Sequence, residues 1–348
     1  MISANAFIAY TRAQVCDIYV VRLALAGYCL MLRTPQGGNS FVTLVLTTCT
    51  HRKRKSVVDS LHMSSLPKAD MEALAADWAG RLSAEDRRFS AIAIYGGRGF
   101  REAATAAALL DARLMVVSAG LGLIDASLTV PPYACTVLAG SPDSVAERVN
   151  GTFSKVGWWA ALRVSSPFAT DLAQAIAVQP GLILAALSDT YLDMISVELC
   201  ALPLADRERL RIFTRVPLER VVKPLRSCVM PYDDRLDGPD SPLRGTRSDF
   251  AARALHHFAR HLSQGQDGRS VADHVDAIRV AIGSWRMPEK IDRVRHDDGT
   301  LLELIRSHWD KAGGSSSRLL RLLRDDLQIA CEQGRFAALA RQVREERA

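Results

Sequence analysis

Residues Phe41-Val42-Thr43-Leu44-Val45-Leu46-Thr47 form a β-branched and aliphatic run of strand length. The run stops abruptly in the polar burst Thr50-His51-Arg52-Lys53-Arg54-Lys55. A continuous apolar run of this kind suits a strand buried on both faces, as in a parallel sheet covered by helices. The pattern then recurs. A helix is predicted from Lys68 to Leu82, where Met71, Leu74, Trp78 and Leu82 recur at three- and four-residue steps. Ala91 to Tyr95 reads as a second strand running into Gly96-Gly97-Arg98-Gly99-Phe100, and an Ala-rich helix follows from Glu102 to Leu110. Leu114 to Ser118 reads as a third strand, ending in Ala119-Gly120-Leu121-Gly122-Leu123-Ile124-Asp125. Gly181 to Leu187 and Arg211 to Thr214 supply two more. Strand, loop, helix, strand with the loops at one end implies an α/β fold with a mostly parallel central sheet flanked by helices.

This places an α/β catalytic domain over residues 41–250, preceded by an extension, 1–40, with no clean period. A loop-like stretch rich in Asp, Pro, Gly and Arg runs from 231 to 249, long enough to suggest function, with Arg244 and Arg247 on it. Residues 251–348 read as an all-helical, helix-turn-helix-like nucleic-acid-binding region. Its most informative part begins at Ser315-Ser316-Ser317, where a serine is expected to cap a helix. Leu319, Leu320 and Leu323 form the inner stripe of that helix, while Arg318, Arg321 and Arg324 project at three-residue spacing. A final helix turns Phe336, Leu339, Ala340 and Val343 inward.

The 44 basic and 38 acidic residues make only a mild positive excess, so the location of the charge matters more than its sum. The seven cysteines are odd in number and scattered, and they read as reduced thiols rather than a disulfide frame or zinc site. His257 and His261 lie one helical turn apart but lack a third ligand. The glycine-rich turn at 96–99 is neither a triphosphate loop nor a dinucleotide fingerprint, so no metal or cofactor is expected. The apolar stretch Ile18 to Leu32 is too short to span a bilayer, contains Arg22 and has no basic leader. No membrane association is expected, and the cytosol is the expected location.

Parallel α/β proteins bind ligands beyond the carboxyl ends of their strands, which draws attention to the residues that follow each one. Asp125, just past the third strand, is the first candidate for a catalytic carboxylate, and Asp189, at the end of the fourth, is the second. The stiff Pro131-Pro132 presents Tyr133 beside Asp125. Breaking an N-glycosidic bond builds positive charge on the sugar, which a carboxylate can stabilise. Tyr133, Tyr95 and Phe100 are candidates for stacking on an extruded base, with Arg98 and His51 for its polar edge. Arg52, Lys53 and Arg54, together with Arg244, Arg247, Ser315, Ser316, Arg318, Arg321 and Arg324, are candidates for duplex contacts.

Four ordered segments carry a family resemblance. They are Thr47-Thr48-Cys49-Thr50-His51-Arg52-Lys53-Arg54, Tyr95-Gly96-Gly97-Arg98-Gly99-Phe100-Arg101-Glu102-Ala103, Val117 to Asp125, and Pro132-Tyr133-Ala134-Cys135-Thr136. Together they resemble the bacterial group related to the peroxide-stress protein family and to the glycosylase-like domain of archaeal tRNA-guanine transglycosylases. Within it the chain looks most like anti-phage DNA glycosylases that remove glucosylated hydroxymethylcytosine. The likeness covers residues 41–137 well, 180–250 loosely and the helical tail hardly at all. Gly120-Leu121 stands where that group carries lysine and tyrosine. The resemblance implies a DNA glycosylase acting on double-stranded, modified phage DNA. A non-catalytic DNA- or RNA-binding regulator and a tRNA base transferase are the alternatives.

Overall fold

The computed structural model describes residues 43–263, 270–289 and 292–347; the expected extension over 1–40 lies outside them. Five strands form the central sheet: β1 (Leu44–Thr48), β2 (Arg113–Ser118), β3 (Gly122–Asp125), β4 (Ile183–Ala186) and β5 (Leu210–Phe213). Their spatial order is β3-β2-β1-β4-β5. β1 lies in parallel register with both neighbours, Leu44 facing Arg113 on one side and Ile183 on the other. β5 is parallel to β4. Leu44, Val45 and Leu46 are fully buried, as expected of a strand covered on both faces.

The covering helices are α1 (Met71–Ala84), α2 (Arg98–Leu109), α3 (Lys155–Ser165), α4 (Asp189–Ala201) and α5 (Phe250–Leu262). α2 and α5 pack on each other and lie over β1, β4 and β5, while α1, α3 and α4 pack in a row. The β1-to-β2 connection contributes to both layers, α2 to one and α1 to the other, where α1 packs on α3 and α3 on α4. The order reverses at β1, whose neighbours are reached in opposite directions. The crevice beyond the carboxyl ends of β1 and β4 is therefore the topological switch point.

Three expectations are corrected. Ala91–Ile94 is a short helix, not a strand: Ala91 and Ile94 are buried and Ile92 is exposed, a three-residue rather than a two-residue period. The strand positions flanking β1 are taken by β2 and β4. The second correction concerns β3, which runs antiparallel to β2 with Asp125 opposite Met115, so Asp125 returns to the amino-terminal end of the parallel strands. Third, the tail is not wholly helical: Val294–Arg295 and Ile329–Ala330 pair as a two-residue parallel ladder.

Beyond α5 come α6 (Val271–Gly283), α7 (Asp298–His308), α8 (Ser316–Arg321) and α9 (Gln333–Glu346). α7, α8 and α9 enclose an apolar core of their own, which includes Leu301, Ile305, Trp309, Leu319, Leu323, Phe336, Leu339 and Val343. Among the described residues no helix is long and apolar enough to cross a membrane.

The 231–249 segment is ordered around one buried cation. The Arg253 guanidinium, on α5, has no exposed surface; it bonds Asp249 and Asp237 at 2.6 Å each and donates to the carbonyl oxygens of Leu236, Leu243 and Thr246. Removing such a cation leaves buried acceptors without a donor, which is more costly than the pair itself is worth. Arg253→Met is expected to lower unfolding stability by about 3–5 kcal/mol in a denaturant titration. A loss under 1 kcal/mol would show that the loop is held by something else.

Candidate active site

The loop after β1 is hydrogen-bonded along the segment leading into α2. Gly96 N donates to Arg52 O at 2.9 Å, Arg54 N donates to Ile94 O at 2.8 Å, and Lys53 bridges Tyr95 in antiparallel fashion. Side chains alternate in such a pairing, so Arg52 and Arg54 stand exposed while Lys53 between them turns inward. Its Nζ lies 5.0 Å from the Tyr95 ring centre and 4.6 Å from that of Tyr133, and it donates to Thr50 O. Burial lowers the Lys53 pKa, with Cys49 and Cys135 working the other way.

A hydrogen-bonded chain lies beneath this ammonium. Ser118 Oγ, at the end of β2, accepts from Gly120 N at 3.2 Å and Leu121 N at 3.0 Å. Both its lone pairs are then used, so its own proton goes to the Tyr133 hydroxyl at 2.5 Å, and Tyr133 donates to the Tyr95 hydroxyl at 2.9 Å. Burial pushes both phenols above their ordinary pKa, which keeps them protonated and makes them donors rather than bases. The turn after β2 is clamped from outside: Trp78 and Trp158 donate their indole N–H groups to Gly120 O and Ala119 O at 2.7 and 2.8 Å, and the Ser166 hydroxyl donates to Leu121 O at 2.8 Å. A Cβ on Gly120 would sit 2.6 Å from the Tyr133 ring. The glycine that departs from the resembled pattern is therefore required here by the phenol packed against it. Across the switch point, Cys49 Sγ and the Tyr191 hydroxyl are 2.9 Å apart and join the end of β1 to the first turn of α4.

The fold unites Lys53, Tyr95, Ser118, Tyr133 and Cys135 at this edge but leaves the first carboxylate out. Asp125 sits at the other end of the sheet, where Arg113 Nε bonds it at 2.8 Å and Ser127 donates its N–H at 2.9 Å and its hydroxyl at 2.6 Å. Burial works upward on its carboxyl, but these bonds outweigh it and hold the pKa below the ordinary range. Asp125 is thus a turn cap and ion-pair partner, and its placement beside Tyr133 is corrected. The stacking role is corrected as well: Tyr95, Tyr133 and Phe100 are 0–2% exposed, with Tyr95 tilted against Phe100 at 5.3 Å and Tyr133 edge-on to Trp78 at 6.4 Å. No ring face is open to a base, because these rings fill the space beyond β1 and β2.

Asp189 does stand at the carboxyl edge, as the first residue of α4. It lines a cavity of about 190 Å3 with Lys155, Thr190, Asp193, Ser196 and Arg220. Asp189 pairs with Arg220 at 3.1 Å and Lys155 with Asp193 at 2.8 Å, all at least a third exposed. His51 is exposed on the basic loop. Arg98 opens α2 after Gly97, whose φ of +93° admits glycine where a Cβ would be strained. Its Nε bonds Glu102 Oε1 at 3.0 Å, and Glu102 Oε2 lies 2.5 Å from His256 Nδ1. Arg260 Nε donates to His256 Nε2 at 3.1 Å, which leaves the ring proton on Nδ1 for Glu102.

In the long loop, Arg247 is exposed and Arg244 donates to Pro239 O. In the tail, Ser315 occupies the cap position of α8 without a side-chain cap bond; its hydroxyl faces that of Ser317, and Ser316 Oγ accepts from Arg344. Arg318 and Arg321 are exposed. Arg324 is corrected: the chain widens into a π turn over Leu322–Asp326, and the Arg324 guanidinium folds onto Cys331 O at 2.7 and 3.1 Å. It is a structural bond, not an outward charge.

Cys49, Ser118, Tyr191 and Lys155 carry no singled-out role in the sequence, and Lys53, expected among the outward duplex contacts of the basic run, instead turns inward onto the Tyr95 and Tyr133 rings. Its signal is the strand-like alternation within the basic run, visible once a partner strand is known. No protein family, characterised protein or solved structure matched the chain.

The hydrogen bond from His256, with Arg98 beside it, holds the Glu102 carboxyl at about 2, below its ordinary 4.5, against the upward pull of burial. A depressed folded pKa stabilises above the ordinary value and loses that contribution as pH falls toward 2. Melting temperature should therefore fall between pH 4.5 and 2 more steeply in the wild type than in Glu102→Gln. Parallel curves would exclude this pair as a source of acid lability.

Proposed function

We propose that the chain excises a base from DNA at the carboxyl edge between β1 and β4, the glucosylated hydroxymethylcytosine of phage DNA being the substrate its resemblance implies. The observation that supports this reading is convergence. The resembling segments, spread over residues 47–136, interlock there through Lys53, Tyr95, Ser118, Gly120 and Tyr133. Interlocking of this kind is what a shared site would require of motifs far apart in sequence.

The carboxylate role passes to Asp189. In this reading it faces the developing positive charge on the sugar, or takes the proton of the attacking water, as the base departs with the bonding pair. The adjoining cavity receives the extruded base, with Lys155 and Arg220 as donors to its edge. Stacking on Tyr95, Tyr133 or Phe100 has no place in it. The exposed His51, Arg52 and Arg54 beside the edge, and Arg318 and Arg321 in the tail, serve as phosphate contacts.

Purified protein mixed with modified phage DNA is expected to release free base and leave abasic sites. Asp189→Asn should slow release by roughly a hundredfold, the scale of a lost electrostatic stabiliser. Its melting temperature should hold, since the side chain is 57% exposed. Absence of base release from both modified and unmodified DNA would sink the reading, and full activity in Asp189→Asn would remove that carboxylate.

For the tail, Arg318→Ala/Arg321→Ala should weaken duplex binding and flatten the slope of log affinity against log salt by roughly 2, about 0.9 per lost phosphate contact. Arg324→Ala should instead lower stability. An unchanged slope in the double variant would take the tail out of the interface.

A further inference from the structure

The excision reading does not use the most unusual group at this edge. Lys53 sits between two arginines that remain in solvent, yet its own Nζ lies over the Tyr95 and Tyr133 rings and bonds a carbonyl oxygen, Thr50 O, rather than a carboxylate. A lysine that serves only to grip phosphate gains nothing from such a position, because an ammonium works best there as a hydrated point charge. Arg52 and Arg54 already supply exposed charge on either side. Desolvation favours the neutral amine, the form that carries a lone pair, and the two phenols cannot neutralise that effect because burial keeps them protonated. Cys135 is likewise pushed up by burial and stays a thiol. Lys53 is nevertheless not wholly enclosed, and it lies on the loop that leaves the carboxyl end of β1 at the switch point, where sheets of this kind receive ligands.

We propose that Lys53 is the amine nucleophile of a lyase activity on abasic DNA, adding to the C1′ aldehyde of the deoxyribose left when a base is removed. The proposal rests on the excision reading, which is what would produce that aldehyde. The Nζ lone pair forms the new C–N bond, and the carbonyl oxygen leaves as water with the two amine protons, giving an imine. Loss of the C2′ proton to solvent then forms the C2′=C3′ bond as the C3′–O bond breaks and the phosphate departs with its electron pair. Water hydrolyses the imine and returns Lys53. No oxidant, reductant or metal is consumed. Tyr95 and Tyr133 act as positioning residues: their rings hold the amine out of water, and the hydrogen-bonded chain to Ser118 fixes the rings.

The test uses the full chain and a duplex oligonucleotide carrying one preformed abasic site, with sodium borohydride present to reduce any imine to a stable amine. The expected result is a covalent protein–DNA adduct that mass spectrometry of the wild-type protein maps to Lys53. Without borohydride, the strand should be cut to a 3′ unsaturated aldehyde and a 5′ phosphate. Lys53→Arg and Lys53→Met should lose both adduct and cleavage while keeping the wild-type melting temperature. If neither variant folds, the adduct map on the wild type decides alone. An adduct confined to Lys155 or another amine, or no adduct at all, would overturn the proposal. Because the abasic site is supplied ready-made, this outcome is independent of base release. Release from modified DNA without an adduct would leave excision standing and remove the lyase; an adduct without release would do the reverse.

Discussion

Crowding at the carboxyl edge governs what the sheet can do there. The Tyr133 ring occupies the space that a side chain on Gly120 would need, and its hydroxyl joins Ser118 to Tyr95. A buried polar chain is stable only when each member is satisfied, and here saturation of Ser118 by two backbone N–H groups forces the direction of every proton above it. The two indoles and the Ser166 hydroxyl fix the carbonyls of the same turn. The edge is thus rigid on the β2 side and carries its open space on the β4 side, where Asp189 stands.

That asymmetry separates the charged groups at the edge by their physics. Arg52 and Arg54 on the loop after β1, and Arg318 and Arg321 in the tail, sit in water, where their charge costs little to maintain. The amine is kept out of water by aromatic rings, and the carboxylate lies across the switch point on a different helix. Rigid elements hold each part: Cys49, just past the end of β1, meets Tyr191 of α4, so the two sides of the crevice are tied to each other.

The runs at 44–47, 114–118, 183–186 and 211–213 were legible as strands because they are short, rich in aliphatic and β-branched residues and bounded by polar or turn residues. Ala91 to Tyr95 was not, since four residues of alternating alanine and isoleucine satisfy either period until a neighbour decides. Asp125 was misplaced for a topological reason: one hairpin reverses the chain and carries it to the far end of the sheet, and hairpin and crossover differ there only by a short turn. Arg324 followed the spacing of its neighbours but not their direction, because a π turn shifts the helix face after Arg321. The carboxyl edge could be located from the order of elements, whereas the inward turn of Lys53 depends on a pairing with Tyr95 that lies 42 residues away.

The helical tail has a core that shares no residue with the one around the sheet. Two separate cores allow two cooperative units, so amide hydrogens in α7 and α9 can exchange through openings that leave those of β1 and β4 protected. Denaturation followed by the tryptophans then reports on both at once, since Trp309 belongs to the tail core while Trp78 and Trp158 belong to the sheet core. A tail that loosens alone leaves the crevice beside Asp189 with its shape.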